Sequence, residues 1–107
     1  MAAIAMGSLS DPRRRLVEMM RELYFGRFEG LLIRDGEPVL NPLPRIVREV
    51  KFPRESPAAT GRGSDFLLKQ QVVELMALLD QLQDGTIAVL EVKHGLPFRV
   101  LVEDGAA

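Results

Sequence analysis

The sequence predicts an α+β domain made of two αββ units related by a pseudo-twofold axis. The sheet is expected to be mostly antiparallel, of four or five strands, with two helices packed on it. The first observation behind this is a self-match at a constant offset of 59 residues: Gly26, Gly36 and Pro38 recur as Gly85, Gly95 and Pro97. Such self-similarity is the signature of a duplicated structural unit. The second is that apolar residues match as well, Leu16, Met19, Met20 and Leu23 with Leu75, Leu78, Leu79 and Leu82, and Leu31 and Ile33 with Leu90 and Val92. The third is a turn dipeptide after each strand pattern, Asp35-Gly36 and His94-Gly95. Turns of this kind need positive φ at their centre and join antiparallel strands.

Taken in order, residues 1–10 read as a flexible tail, and 11–107 as a single domain with its first unit over about 11–40. Asp11 is an N-cap residue type, and Pro12 suits the first helical position, where its missing N–H costs nothing. Leu16, Met20, Leu23 and Tyr24 form a helical stripe, and Gly26 is placed to end the helix in a left-handed conformation. Arg27 to Arg34 reads as a strand, with Gly30 inside it marking a bulge or a close backbone approach. Asp35-Gly36 makes the turn, and Glu37 to Leu40 returns. Asn41-Pro42-Leu43-Pro44 interrupts regular structure. Arg45 to Phe52 reads as a third strand at an edge, with Ile46, Val50 and Phe52 on one face. The connecting segment, about 41–64, ends in a loop from Pro53 to Gly63.

The second unit spans about 65–103. Ser64 or Asp65 is expected to cap a helix running to about Gln83, with a stripe of Leu68, Val72, Leu75, Met76, Leu79 and Leu82. Phe66, Leu67, Val73, Ala77 and Leu78 widen that stripe, so the helix is either central or buried in an oligomer. Thr86 to Lys93 is a strand, His94-Gly95 a turn, and Pro97 to Glu103 the return. Phe28 and Leu32 alternate with Leu31 and Ile33, and Ile87 and Val89 with Leu90 and Val92, so both central strands look apolar on both faces. A sheet with one wet face gives cleaner alternation. The second face then needs a cover, either another chain or loops of this one.

DGTIAVLEVKHGLPFRVLVE, and more loosely FGRFEGLLIRDGEPVL, resemble the small uncharacterised bacterial proteins of the YezD type, each unit corresponding to one such protein. The glycine-to-glycine spacing here is one residue longer than in that family, and 41–64 has no counterpart in it. The resemblance implies a small soluble bacterial protein and no particular reaction.

Composition bounds the function further. An apolar fraction of 47% and a charged fraction of 27% belong to an ordinary globular domain. There is no cysteine, hence no disulfide, thiolate metal site or thiol nucleophile, which fits a cytoplasmic protein. No apolar run approaches the ~20 residues of a membrane span, and the opening residues lack the basic start of a signal peptide. Net charge is −1, so bulk electrostatics favours neither nucleic acid nor membrane.

Candidates for chemistry are few. His94 is the only histidine and stands in a turn, where its backbone tolerance explains it without catalysis. The carboxylates Glu29, Asp35, Glu37, Asp84 and Glu91 read as solvated surface acids. Gly61-Arg62-Gly63-Ser64 before the second helix offers an anion cradle, with a plain lead-in to a capped helix as the simpler reading. Arg13, Arg14, Arg15, Arg45, Arg48, Lys51, Arg54 and Arg62 form a possible anion or nucleic-acid set. Three arginines in a first helical turn oppose the helix dipole and hint at an anionic partner, unless Asp11 and Glu18 answer them. No catalytic constellation, metal-ligand set or cofactor motif is visible. The expectation is a non-enzymatic homo-oligomeric protein–protein interaction module, a homodimer or a binder of another protein. Its interface is expected at Leu31, Ile33, Leu67, Val73, Leu78, Leu90 and Val92. A nucleic-acid-associated regulator and a small-molecule binding domain are the alternatives.

Overall fold

The computed structural model describes residues 8–50, 52 and 69–103. Its elements are α1 (Asp11–Leu23), β1 (Gly26–Arg34), β2 (Glu37–Val39), β3 (Arg45–Arg48), α2 (Gln70–Leu82), β4 (Gly85–Lys93) and β5 (Leu96–Glu103). The class is α+β, with two helices and an antiparallel sheet of five strands. Across the sheet the order is β2-β1-β4-β5, with β3 also paired to β1. β2 pairs with the C-terminal part of β1, from Leu32 to Arg34, and β3 with its N-terminal part, from Gly26 to Glu29. The two therefore share one edge, broken between them by Asn41 to Pro44 with a cis Asn41–Pro42 bond.

α1 starts one residue earlier than its sequence signals suggest. Ser10 is the N-cap and its hydroxyl accepts from the Arg13 N–H at 3.4 Å. Ser10 also donates to Glu37 at 2.5 Å, and Leu9 packs against the core. Both belong to the folded body rather than to a tail. Nor does Gly26 end the helix. Tyr24 takes the turning role at φ 68, its N–H bonding the Met20 carbonyl. Gly26 instead opens β1, where a Cβ would collide with the Val47 carbonyl oxygen of β3.

α2 begins at Gln70 with Lys69 as an N-cap that makes no side-chain bond. It does not begin at Ser64 or Asp65, which lie outside the described residues together with Phe66, Leu67, Leu68 and the Pro53 to Gly63 loop. Its buried stripe, Val72, Leu75, Met76 and Leu79, follows i, i+3, i+4 and i+7 and is narrower than expected. Ala77 is exposed, and Val73 and Leu78 are half-buried.

The core is a single apolar cluster joining both helices to one face of the central strands, including Leu16, Met20, Phe28, Leu31, Leu79, Ile87 and Leu90. Phe28 faces Leu90 and Leu31 faces Ile87 across the β1–β4 pair. Between these pairs two residues per strand, Glu29-Gly30 and Ala88-Val89, stand between consecutive buried positions instead of one. The pleat changes phase there, so Phe28, Leu31 and Ile33 all point to the helices, as do Ile87, Leu90 and Val92. This corrects the reading of strands apolar on both faces: Leu32 is exposed and Val89 half-buried. Gly30 permits the change, at φ 74 with open space around it, so no backbone approaches it closely; the β1–β4 register runs past it without a shift, and the irregularity falls between Ile87 and Val89 of β4 against β5.

β3 ends at Arg48, short of Phe52, and the Glu49 N–H to Phe25 carbonyl bond at 2.9 Å carries the pairing one residue further. Ile46, Val50 and Phe52 are all exposed rather than forming a buried face. β3 lies on the outer edge of the sheet, and its apolar side chains do not join the core cluster. Both hairpin turns behave as expected, with φ 55 at Asp35 and 53 at His94.

Candidate protein interface

Four residues expected at an interface lie in the core instead. Leu31 and Leu90 have no exposure, and Ile33 and Val92 have 2% and 1%. The phase change in β1 and β4 turns them under the helices, so no partner reaches them. Leu67 is outside the described residues. Val73 and Leu78 on α2 are half-buried, and Leu78 packs against the core margin.

Accessible apolar side chains stand on both margins of the sheet: Leu32, Leu43, Ile46, Val50 and Phe52 on the side of β1 to β3, and on β5 Phe98, Leu101 and Val102, which are 58%, 47% and 38% exposed. β5 is the last strand of the sheet. Its register on β4 shifts between Glu91 and Val92, which leaves Phe98 as an extra residue. The Lys93 ammonium lies 4.0 Å from the centre of the Phe98 ring, a cation–π contact that covers one side of the ring. Between α2 and β5 a hollow of about 270 Å³ is lined by Glu74, Leu75, Leu78, Phe98 and Val100 among others. The sequence marked Leu78 but not Phe98, Leu101 or Val102. The local sign of it is Val100-Leu101-Val102, apolar on both faces of a strand but shorter than the apolar runs of β1 and β4.

The face of the sheet away from the helices carries ion pairs. Arg27 Nε donates to Glu29 at 2.6 Å, Arg45 Nε lies 3.6 Å from the same carboxylate, and Arg99 donates to Glu91 at 2.8 Å. The Arg27 hydrogen bond holds the Glu29 carboxyl below the usual carboxylate range. Partial desolvation opposes this, and the charges of Arg27 and Arg45 reinforce it.

The arginine set is dispersed, and much of it is used internally. Arg13 has 14% side-chain exposure. It donates twice to the Gly36 carbonyl, at 3.2 and 2.8 Å, and to Asp80 at 2.5 Å. Arg14 pairs with Asp11 at 2.7 Å. Arg48 donates to the Leu23 carbonyl at 3.1 Å, placing a cation at the C-terminal end of α1, where the helix dipole favours it. Arg15 is exposed, and Lys51, Arg54 and Arg62 lie outside the described residues. The dipole argument for an external anion therefore loses Arg13 and Arg14. The Gly61 to Ser64 cradle also lies outside the described residues, and α2 starts at Gln70, six positions beyond Ser64.

His94 is exposed, and its ring meets Phe25 edge-on at 4.8 Å and Tyr24 at 5.7 Å. Tyr24 Oη is 3.4 Å from its Nδ1. This is a small aromatic clasp between the α1 terminus and the β4–β5 turn. A second surface hollow, about 430 Å³, lies beside β3 with Arg27, Arg48, Lys93, Glu49 and Glu91 on its wall; the mixed charges favour no single ligand. Among the described residues no group of three His, Asp or Glu side chains is placed to hold a metal, and no helix is long and apolar enough to cross a membrane.

Comparison with protein-family models, with curated proteins and with solved structures gives no match.

Proposed function

We propose that the chain is a non-enzymatic, homo-oligomeric protein–protein interaction module built from two fused αββ units. The observation that carries this is the outer strand β5, where Phe98, Leu101 and Val102 are exposed and, among the described residues, no strand lies beyond it. Exposed strand edges of this composition recruit other chains unless they are blunted.

The duplicated architecture is supported by the spacing of the elements. α1 and α2 are 13 residues each and β1 and β4 nine each, and both pairs begin and end 59 positions apart. The bonds between the halves exchange under the same shift. Gly36 N–H donates to the Gln83 carbonyl at 2.8 Å, and Gly95 N–H to the Tyr24 carbonyl at 2.9 Å. The β1–β4 register is reciprocal too, Phe28 with Leu90 and Leu31 with Ile87. A lone αββ unit buries too little apolar surface to be stable, which gives the fusion a physical reason and agrees with the YezD-type resemblance of each half.

Light scattering over a concentration and salt series tests the function. A mass of two chains or more is expected at micromolar concentration. A single-chain mass throughout overturns the reading.

A further inference from the structure

The two edges of the sheet are not protected alike. On one, β2 spans only three residues and is cut off from β3 by Asn41 to Pro44. Short strands and prolines are the usual devices against stray edge pairing. On β5 itself such devices stand at the start, at Pro97 and at the register shift beside Phe98; a second shift, opposite Leu101 and Val102, places its extra residue, Ala88, on β4 and leaves β5 continuous. From Arg99 to Glu103 the strand has no proline and no glycine, and among the described residues it has no neighbour on its outer side.

The side chains of that stretch are self-complementary. Arg99, Leu101 and Glu103 share the open face of the sheet, opposite Glu91, Val89 and Thr86 of β4. Val100 and Val102 share the helix face, opposite Leu90 and Ile87. In an antiparallel pair directly opposite residues lie on the same face and within side-chain reach. A second copy laid along β5 with the twofold axis at Leu101 sets Arg99 against the second copy's Glu103, and Glu103 against its Arg99. Leu101 then meets its own counterpart, and Val100 meets Val102 on the other face. Moving the axis one residue either way sets Leu101 against Arg99 or Glu103 and loses both charge pairs.

The open face already alternates in charge along this row. Arg27 stands opposite Glu91, and Glu91 opposite Arg99, which it binds at 2.8 Å. The second copy's Glu103 continues that alternation across the seam. On the helix face the half-buried Leu78 of α2 lines the same margin as Val100, so apolar cover is present where the two valines meet.

We propose that two copies of this chain join edge to edge through antiparallel β5 strands centred on Leu101, making one continuous sheet with reciprocal Arg99–Glu103 pairs. The interface is isologous, so every contact off the axis occurs twice, and Leu101 meets its counterpart once on the axis. This rests on the homo-oligomer reading above and specifies its site and register.

The test uses two single charge reversals, Arg99→Glu and Glu103→Arg, with far-UV circular dichroism to confirm folding and sedimentation equilibrium to read mass. Each variant alone sets like charges opposite one another twice, and its self-association is expected to weaken by at least about tenfold. Mixed in equal amounts, the two variants are complementary at both positions, and a heterodimer is expected to form. Arg99→Glu also loses its Glu91 pair; if it does not fold, Leu101→Lys replaces it and is expected to be monomeric. A wild-type dimer whose mass is unchanged by these substitutions overturns the edge pairing while leaving the oligomer reading intact. A wild-type monomer at all concentrations overturns both.

Discussion

Arg13 offers the sharpest contrast between an arginine held for a partner and one held for the fold. Its guanidinium has 14% exposure and donates two bonds to the Gly36 carbonyl, tying the start of α1 to the β1–β2 turn. A hydrogen bond from a charged donor contributes about 1.5–3 kcal/mol net. The ion pair with Asp80 adds less, because Asp80 is 67% exposed and exposed pairs contribute at most about 1 kcal/mol. Arg13→Met keeps much of the apolar stem, which isolates the loss of the polar head. The expected cost is about 2 kcal/mol, a fall in Tm of roughly 10 °C for a domain of this size. Asp80→Asn is expected to cost less than about 1 kcal/mol, and Arg14→Met, whose partner Asp11 is 90% exposed, less than about 0.5 kcal/mol. Urea unfolding of the three variants and of the Arg13/Asp80 double mutant separates the contributions. The reasoning is refuted if Arg13→Met lies within about 0.5 kcal/mol of wild type, or if Asp80→Asn costs as much as Arg13→Met.

Gly26→Ala is expected to destabilise more than Gly30→Ala, because the first drives a Cβ into the Val47 carbonyl while the second meets open space. Gly30→Ala is expected to cost about 1–2 kcal/mol for its left-handed backbone, and a larger loss there than at Gly26 on thermal unfolding refutes the placement of β3. Leu79→Ala removes a side chain with no exposure and is expected to cost about 2–5 kcal/mol by chemical denaturation. Glu29 has a carboxyl pKa below the ordinary carboxylate range. Its contribution is therefore complete above the unfolded pKa and is lost as pH falls through the lower, folded one. NMR titration of the Glu29 carboxyl is expected to move upward in Arg27→Gln; an unchanged midpoint refutes the assigned cause.

Much of the fold was legible because it rests on local chemistry. The turns at Asp35-Gly36 and His94-Gly95, the break at Asn41 to Pro44 and the α1 stripe all follow from residue type and period. What was not legible depends on contacts distant in sequence. Nothing local shows that Lys69 rather than Ser64 precedes α2, since Lys69 makes no capping bond and the helix is placed by burying Val72, Leu75, Met76 and Leu79. Gly26 looked like a helix terminator and proved to be a point of close approach by β3. Arg13 looked unanswered because its partners, Gly36 and Asp80, are 23 and 67 positions away. The interface residues were misplaced by the phase change at Gly30, which strict alternation cannot represent. A single glycine inside an apolar strand, read as a bulge or a close backbone approach, was the local sign of the change that turns Leu31 and Ile33 inward.

That correction also decides which surface a second chain covers at least cost. Had β1 and β4 been apolar on both faces, a partner would lie flat on the sheet. Instead the open face holds Arg27, Glu29 and Arg45 on one side and Glu91 and Arg99 on the other, in ion pairs with partly exposed groups. A flat partner would strip water from every one of them, and for buried pairs the desolvation cost often exceeds the attraction. Pairing at the edge leaves these charges wet. It buries Leu101 and the two valines, satisfies the outward backbone groups of β5, and uses Arg99 and Glu103 in the plane of the sheet they already occupy. The same phase change that withdraws Leu31, Ile33, Leu90 and Val92 from any partner therefore moves the argument for association from the face of the sheet to its last strand.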